Sequence, residues 1–149
     1  MNVGEICSRI VVTAERGMPV QQAAKLMRDH HVGALVVTEG SAGSRRPIGI
    51  VTDRDMVVEV VAADVDYRTL TVGDIMSERP ATIGETAGLF ENIAQMRSGG
   101  VRRLVVVDAN EQLLGIIAMD DLLAVLSEEL STLAQAIQVE QRREAQRRR

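Results

Sequence analysis

The 149-residue chain has the length of one ordinary domain or of two small ones, and 46% hydrophobic residues at a mean hydropathy of +0.04 give it enough apolar material for a packed core. Aromatic residues are limited to Tyr67 and Phe90, which excludes the base-stacking surfaces of single-stranded nucleic acid binders. Residues 1–141 carry 12 basic against 20 acidic side chains, and the other five basic residues lie within 142–149, so the acidic body disfavours nucleic acid as a partner.

The first half of the chain is predicted to contain two helices and three extended segments. Apolar residues at helical spacing predict a helix over residues 20–30, which the turn Gly17-Met18-Pro19 introduces. Continuous apolar runs bounded by turn residues predict buried strands. The other elements of this half are an extended segment at 11–13, strands at 34–38 and 48–52, a hairpin-like loop at 40–44, and a helix at 53–63.

The second half is predicted to repeat this β-α-β-β-α order. Its elements are an extended segment at 81–83, a helix at 86–98, strands at 104–108 and 113–118, and a long helix from Met119. A self-match supports the repeat, because residues 3–8 align with residues 72–77 at an offset of 69. The offset falls to 66 after the second strand, because the loop at 39–47 is longer than its counterpart at 109–112.

A single β-α-β-β-α unit leaves one apolar sheet face exposed, so we expect two units packed sheet to sheet with pseudo-twofold symmetry in an α/β (α+β) fold. The expected organisation is a first repeat at 1–63, a linker at 64–71, a second repeat at 72–130, and a helical extension with an arginine-rich tail at 131–149. This pattern resembles the cystathionine β-synthase (CBS) domain, in the tandem pairs called Bateman modules, over residues 3 to about 130. The resemblance is to the small stand-alone bacterial proteins made of one such pair. It implies regulatory binding of adenosine-containing molecules without catalysis.

The residues that carry the chemistry lie where the third strand of the first repeat meets a helix. Residues 49–56 match in full the pattern of the family, Gly-h-h-Thr/Ser-x-x-Asp-h, where h is apolar. One carboxylate accepts both protons of a ribose cis-diol, so Asp55 is expected to bind ribose and Thr52 a ribose or phosphate oxygen. The alternative is a helix cap, because Thr52 and Asp55 also have the spacing of a capping box, and the two roles can coexist.

The resemblance implies that each cleft takes its aspartate from one repeat and its first two strands from the other. Thr52 and Asp55 are then expected to face Arg102, Arg103 and the segment Pro80-Ala81-Thr82. An arginine fork binds two phosphate oxygens at once, although adjacent strand residues face opposite sides, so one of the two arginines is expected to reach the ligand. The alternative for the arginines is a solvated strand edge paired with nearby carboxylates.

A second, weaker cleft is expected in the pseudo-symmetric position. Its predicted residues are Thr13, Gly33, Ala34 and Asp121. The hydroxyl of the motif is lost there, because Ala118 stands where the first repeat has Thr52, and one missing hydrogen bond weakens binding by about 0.5–1.5 kcal/mol. We expect this cleft to lack a cation and to prefer a less charged ligand.

Five apolar residues of the last helix alternate at spacings of three and four: Leu123, Leu126, Leu130, Leu133 and Ile137. Too little of the domain remains to cover this stripe, so we expect it in the interface of a homodimer, the alternative being that it packs back onto its own subunit. The leading hypothesis is a non-catalytic module that binds AMP, ADP, ATP or another adenosine compound and signals to a separate, unidentified effector protein. The alternative is a structural, protein-interaction subunit without a small-molecule ligand.

Several other classes of site are not expected. The single cysteine, Cys7, cannot form an internal disulfide, and with the adjacent His30 and His31 it offers no tetrahedral metal site. The chain lacks a Ser/His/Asp constellation and a GxxxxGK[ST] phosphate loop, so neither an enzyme nor a catalytic cofactor is expected. No charged leader precedes an apolar stretch and no run reaches 18 apolar residues, so we expect a cytoplasmic protein without a membrane partner.

Overall fold

The computed structural model describes residues 1–40 and 43–148, so the middle of the predicted loop at 40–44 and the last arginine of the tail lie outside the described residues. The predicted β-α-β-β-α order occurs twice, with one short helix before each repeat. The helices are α1 Val3–Ile6, α2 Val20–His30, α3 Asp53–Asp55 with its π-helical continuation Met56–Val61, the 3-10 turn Tyr67–Thr69, α4 Val72–Ile75, α5 Leu89–Gly99 and α6 Met119–Arg147. The strands are β1 Thr13–Ala14, β2 Ala34–Glu39, β3 Arg46–Thr52, β4 Ser77–Glu78, β5 Thr82–Gly84, β6 Arg103–Val107 and β7 Leu113–Ala118.

The strands form two sheets, one for each repeat. The first sheet has the order β1-β2-β3-β4 and the second the order β5-β6-β7. In both sheets the first strand runs parallel to the second, and the second runs antiparallel to the third. Leu35 and Val37 belong to the hydrophobic core that the helices of the first repeat cover. Val36 lies between them in the strand and is 0% exposed, and its counterpart in the second repeat, Val105, is 1% exposed. Because successive strand residues face opposite sides, both faces of each sheet are covered, as the predicted sheet-to-sheet arrangement requires.

The short helices are exchanged between the repeats. α1 precedes the first repeat, but Val3 is fully buried in the core of the second repeat. α4 precedes the second repeat, and Val72 is fully buried in the core of the first. Backbone pairing follows the same exchange, because β4 adds to the edge of β3 while Ser8 bridges to Ile116 of β7. Each repeat therefore completes its core with the short helix that precedes the other repeat in the chain.

Cys7 lies within this exchanged segment and packs against the second repeat. The thiol is half-buried among the residues that surround the core of that repeat. Burial raises the pKa of the Cys7 thiol, so less of it is thiolate at neutral pH than in a free cysteine.

Two helices of the structure differ from the helices predicted from the sequence. The helix predicted at 86–98 begins at Leu89, because Gly88 keeps an extended backbone and acts as the N-cap. The helix predicted at 53–63 is regular only over its first residues and then widens, with the amide of Ala62 donating to the carbonyl of Val57 five residues earlier. Four of the five residues in 57–61 are valines, whose branched side chains crowd the preceding turn of a regular α-helix. The widened, π-helical turn coincides with this run of valines.

α6 is the longest element, and only its first two turns pack on the body. Leu122 is buried, whereas every residue from 127 to 148 is exposed. Leu130, Leu133 and Ile137 are 67%, 63% and 56% exposed, so this part of the apolar stripe does not pack back onto the described residues of its own subunit. Within the described part of the chain no helix, α6 included, combines the length and the apolar character needed to cross a membrane.

Asn92 of α5 is fully buried, and neither its amide nitrogen nor its carbonyl oxygen has a hydrogen-bond partner among the residues that the structure describes. Its counterpart in the first repeat is Ala23, also fully buried. We expect Asn92→Ala to stabilise the protein by about 0.5–2 kcal/mol, because an unsatisfied buried polar group costs about 1–3 kcal/mol and the void left behind is small. Thermal and urea unfolding check this, with Ala23→Asn as the reciprocal control that should destabilise. A lower stability of Asn92→Ala would contradict the prediction.

Candidate functional site

The motif of the first repeat forms a strand-to-helix junction with a complete capping box. The hydroxyl of Thr52 accepts from the amide of Asp55 at 3.2 Å, and Oδ2 of Asp55 accepts from the amide of Thr52 at 2.8 Å. The cap foreseen as an alternative is therefore present. It fixes the Asp55 carboxylate in place and uses one of its oxygens, while no hydrogen bond of the described residues engages Oδ1.

Gly33 and Ala34 lie directly beside this junction. Ala34 pairs with Thr52 in the β2–β3 ladder, and the amide of Asp53 donates to the carbonyl of Gly33 at 3.0 Å. A Cβ atom on Gly33 would lie 3.1 Å from Oδ2 of Asp53, so glycine gives this carboxylate room to lie over the backbone. The structure thus groups two residues predicted for the second cleft with the threonine and aspartate predicted for the first.

The equivalent junction of the second repeat is half capped. Oδ2 of Asp121 accepts from the amide of Ala118 at 2.8 Å, but Ala118 has no hydroxyl to return the bond. Arg103 pairs with Ala118 in the β6–β7 ladder, and Arg102 reaches Oδ1 of Asp120 at 3.8 Å, with both of these side chains more than 70% exposed. A shallow cavity of about 120 Å³ lies between the arginines and the start of α6. Arginine and carboxylate therefore meet at this junction, next to the aspartate whose cleft was expected to lack a cation.

No hydrogen bond or ion pair among residues 1–40 and 43–148 joins Arg102 or Arg103 to Thr52 or Asp55. That the pair Thr52 and Asp55 shares one cleft with the pair Arg102 and Arg103 remains a prediction. It requires a ligand long enough to contact both, since each pair is held by its own repeat.

The other predicted residues line two adjoining depressions between the repeats. Pro80 and Thr82 line a cavity of about 480 Å³, and Thr13 lines a wider one of about 1010 Å³ that also includes Arg16 and Glu39 of the first. Ala81 lies between Pro80 and Thr82 along the chain, and its carbonyl oxygen accepts from the amide of Val105 at 2.9 Å.

The smaller depression contains charged residues that sequence reasoning did not select. Arg16 pairs with Glu78 at 3.0 Å and Arg46 approaches Glu111 at 3.9 Å. Arg79 and Glu111 both have left-handed backbones, with φ of 55° and 59°. None of these residues belongs to the strand-to-helix motif. The sequence signal for them was the Arg45-Arg46 pair at the end of the longer loop. These charged residues converge because the two repeats pack together.

Comparison with known proteins extends across both repeats. The family model described as CBS domain matches residues 3–62 and 72–128. An uncharacterised protein of Methanopyrus kandleri is 36% identical over 128 residues, which is 84% of this chain and 62% of that relative, so the chain spans less than two thirds of its length. A putative signal-transduction protein with CBS domains from Burkholderia ambifaria superimposes with a TM-score of 0.75 at 28% identity, over 85% of this chain and 93% of that one. A CBS domain protein of Pyrobaculum aerophilum complexed with AMP has a TM-score of 0.72 at 25% identity, over 81% of this chain and 89% of that one.

Proposed function

This chain belongs to the CBS domain family, and from that premise we propose that it is a non-catalytic regulatory module that binds an adenosine-containing nucleotide such as AMP, ADP or ATP. The observation that carries the proposal is the Asp55 carboxylate, which the capping box holds in place with Oδ1 uncommitted. A ribose diol needs such an acceptor, and holding it rigidly beforehand lowers the cost of binding. The AMP complex of the Pyrobaculum relative supports the same ligand class.

For the rest of the nucleotide we propose contacts from both repeats. One of the two arginines, Arg102 or Arg103, binds the phosphates, while Pro80, Ala81 and Thr82 contact the base. The second, weaker site has Asp121 as its ribose acceptor and the side chain of Thr13 as a contact, and its ligand must extend to the Thr52 junction to contact the backbone of Gly33 and Ala34. The ranking of the two sites rests on the hydroxyl, which Thr52 provides and Ala118 does not.

We expect Asp55→Ala to weaken nucleotide binding by about 1.5–3 kcal/mol, the range for a hydrogen bond to a charged group. Calorimetry with AMP and ATP measures this, and the 2′-deoxy analogue should lose a similar part of the affinity. Asp121→Ala should have a smaller effect. The matched control is Asp74→Ala, because Oδ2 of Asp74 likewise accepts from the amide three residues earlier, that of Thr71 at 2.8 Å, on a helix without the motif.

If Asp55→Ala and the deoxy analogue both bind unchanged, the ribose assignment is wrong. If Asp121→Ala has the larger effect, the two sites are ranked in the wrong order. If Asp74→Ala weakens binding as much as Asp55→Ala does, the loss reflects the missing helix cap and the carboxylate is not a ligand contact.

We further propose that nucleotide binding favours one arrangement of the two repeats and that a separate effector protein in the cytoplasm reads this arrangement from a homodimer of the chain. A second candidate function is a structural interaction subunit without a ligand. It is favoured by the cap itself, which already engages the side chains of both Thr52 and Asp55. Native mass spectrometry of the protein from its own host separates the two, because a dimer with neither retained nor added adenosine ligand would favour the structural role.

A further inference from the structure

α6 extends far beyond the body, and among residues 1–40 and 43–148 no other element packs against its exposed part. The exposed part from Ser127 to Arg147 spans about 30 Å at the rise of an α-helix. Most of the stability of a helix in a protein comes from packing of its apolar face, and this helix exposes Leu130, Leu133 and Ile137 along one side. These apolar side chains need a covering surface that the described residues of the chain do not provide.

The charge along α6 indicates which surface fits. Residues 119–130 contain four carboxylates and no basic side chain, whereas residues 140–148 contain four arginines and two glutamates. Two copies of α6 in parallel would place carboxylates beside carboxylates and arginines beside arginines. Two antiparallel copies place the basic end of each helix beside the acidic start of the other, which is the favourable arrangement.

We propose that α6 of a second copy lies antiparallel along the stripe, with Leu130 opposite Leu133 of the second copy. In this register Leu126 lies opposite Ile137 of the second copy. The start of α6 offers a matching groove, an apolar cavity of about 360 Å³ whose lining includes Ile93, Met119 and Leu126. The apolar surface thus continues from the body onto the exposed helix.

The same register brings the arginine-rich end to the motif of the second repeat. Along the helix axis, Arg142 and Arg143 of one copy are level with Asp121 and Asp120 of the other, although at 100° per residue all four lie off the apolar stripe. Each copy then adds positive charge near the half-capped junction of its partner, where Arg102 is 3.8 Å from Asp120. The role of these arginines as phosphate contacts rests on the proposed nucleotide function, whereas the helix pairing does not.

Disulfide mapping tests the pairing in the full-length chain. With Leu130 and Leu133 in the interface, Ser127 of one copy lies beside Ala134 of the other, and both residues are exposed. We expect an oxidised mixture of Ser127→Cys and Ala134→Cys to form a mixed disulfide at least fivefold more abundant than either homodimer. The unmodified chain is the control, because its only thiol, Cys7, is half-buried with a raised pKa.

Other cross-linking patterns overturn the proposal. A mixture of Glu129→Cys and Ala134→Cys that cross-links more efficiently indicates parallel helices. Efficient self-linking of Ser127→Cys indicates a register shifted by one heptad, which moves Arg142 away from Asp121. A chain that is monomeric in sedimentation at all concentrations removes the pairing altogether.

Charge exchange tests the delivery of the arginines. Arg143→Asp and Asp120→Arg should each weaken the dimer about two- to fivefold at low salt, because each change puts like charges at the same level of the helix pair, and the double variant should restore the affinity. Without restoration, this alignment of the two helix ends is refuted. Arg142→Ser with Arg143→Ser should weaken nucleotide binding by the dimer, and unchanged affinity with the cross-link intact refutes the ligand role alone. Absence of nucleotide binding by the unmodified chain instead refutes the proposed function.

Discussion

Replacing Leu130 and Leu133 together with glutamate should abolish self-association of the chain. Each dimer would lose four leucines from its interface, each contributing about 1.5–3 kcal/mol when buried, so the dissociation constant should rise by more than about a thousandfold. Sedimentation velocity over a concentration series measures the shift to monomer. The fold of each subunit should survive, because both leucines are more than 60% exposed within it.

A matched control adds the same charge on the other side of α6. Ser131→Glu with Gln135→Glu changes two exposed residues that lie off the stripe, and it should leave the dimer nearly unaffected. A dimer of unchanged strength in the leucine variant would place the interface elsewhere and leave the stripe without a partner.

The second large effect is expected at the glycines where the exchanged segments cross the sheets. A Cβ atom on Gly115 would lie 2.7 Å from the carbonyl oxygen of Ser8 and 2.8 Å from Sγ of Cys7. Such distances require the backbone of the exchanged segment to move away from β7. Overpacking of this kind typically costs about 1–3 kcal/mol.

Gly49 occupies the equivalent place in the first repeat, 2.9 Å from the carbonyl oxygen of Ser77 by the same measure. Because the two crossings are separate, the double variant Gly49→Ala with Gly115→Ala should lose about 2–6 kcal/mol of unfolding free energy, a large part of the stability of a small domain. Urea unfolding checks this. Gly84→Ala is the matched control, because apart from its two chain neighbours no described residue lies within 4 Å of its added methyl group. Near-wild-type stability of the double variant would mean that the exchanged segments are loosely held.

Local sequence signals predicted most of the fold. The apolar spacing and the preceding proline gave the helix at residues 20–30 with the bounds that α2 has. The strand at 113–118 likewise has the bounds of β7, because an aliphatic run between turn residues has few alternatives. The self-match at 69 residues predicted two equal units and hence two sheets, since one unit alone leaves an apolar face exposed.

The capping box was also predictable, because its bonds join residues three apart and depend only on the local backbone. Thr52 and Asp55 form it in full, and Asp121 forms the half that Ala118 permits. The glycines of the motif could be read from the sequence, but the reason for them could not. Gly49 and Gly115 are needed because a distant segment crosses their strands.

Only the tertiary structure decided which segments complete which core and which charges converge. The sequence places Val3 beside the first repeat, yet it is buried in the second, because the short segment after α1 leads from one sheet to the other. Arg16 and Glu78 are 62 residues apart and meet at 3.0 Å only because the repeats pack together. Hydrophobic periodicity records which face of an element is buried but carries no information about the partner that buries it, so contacts between distant segments appear only when the whole chain has folded.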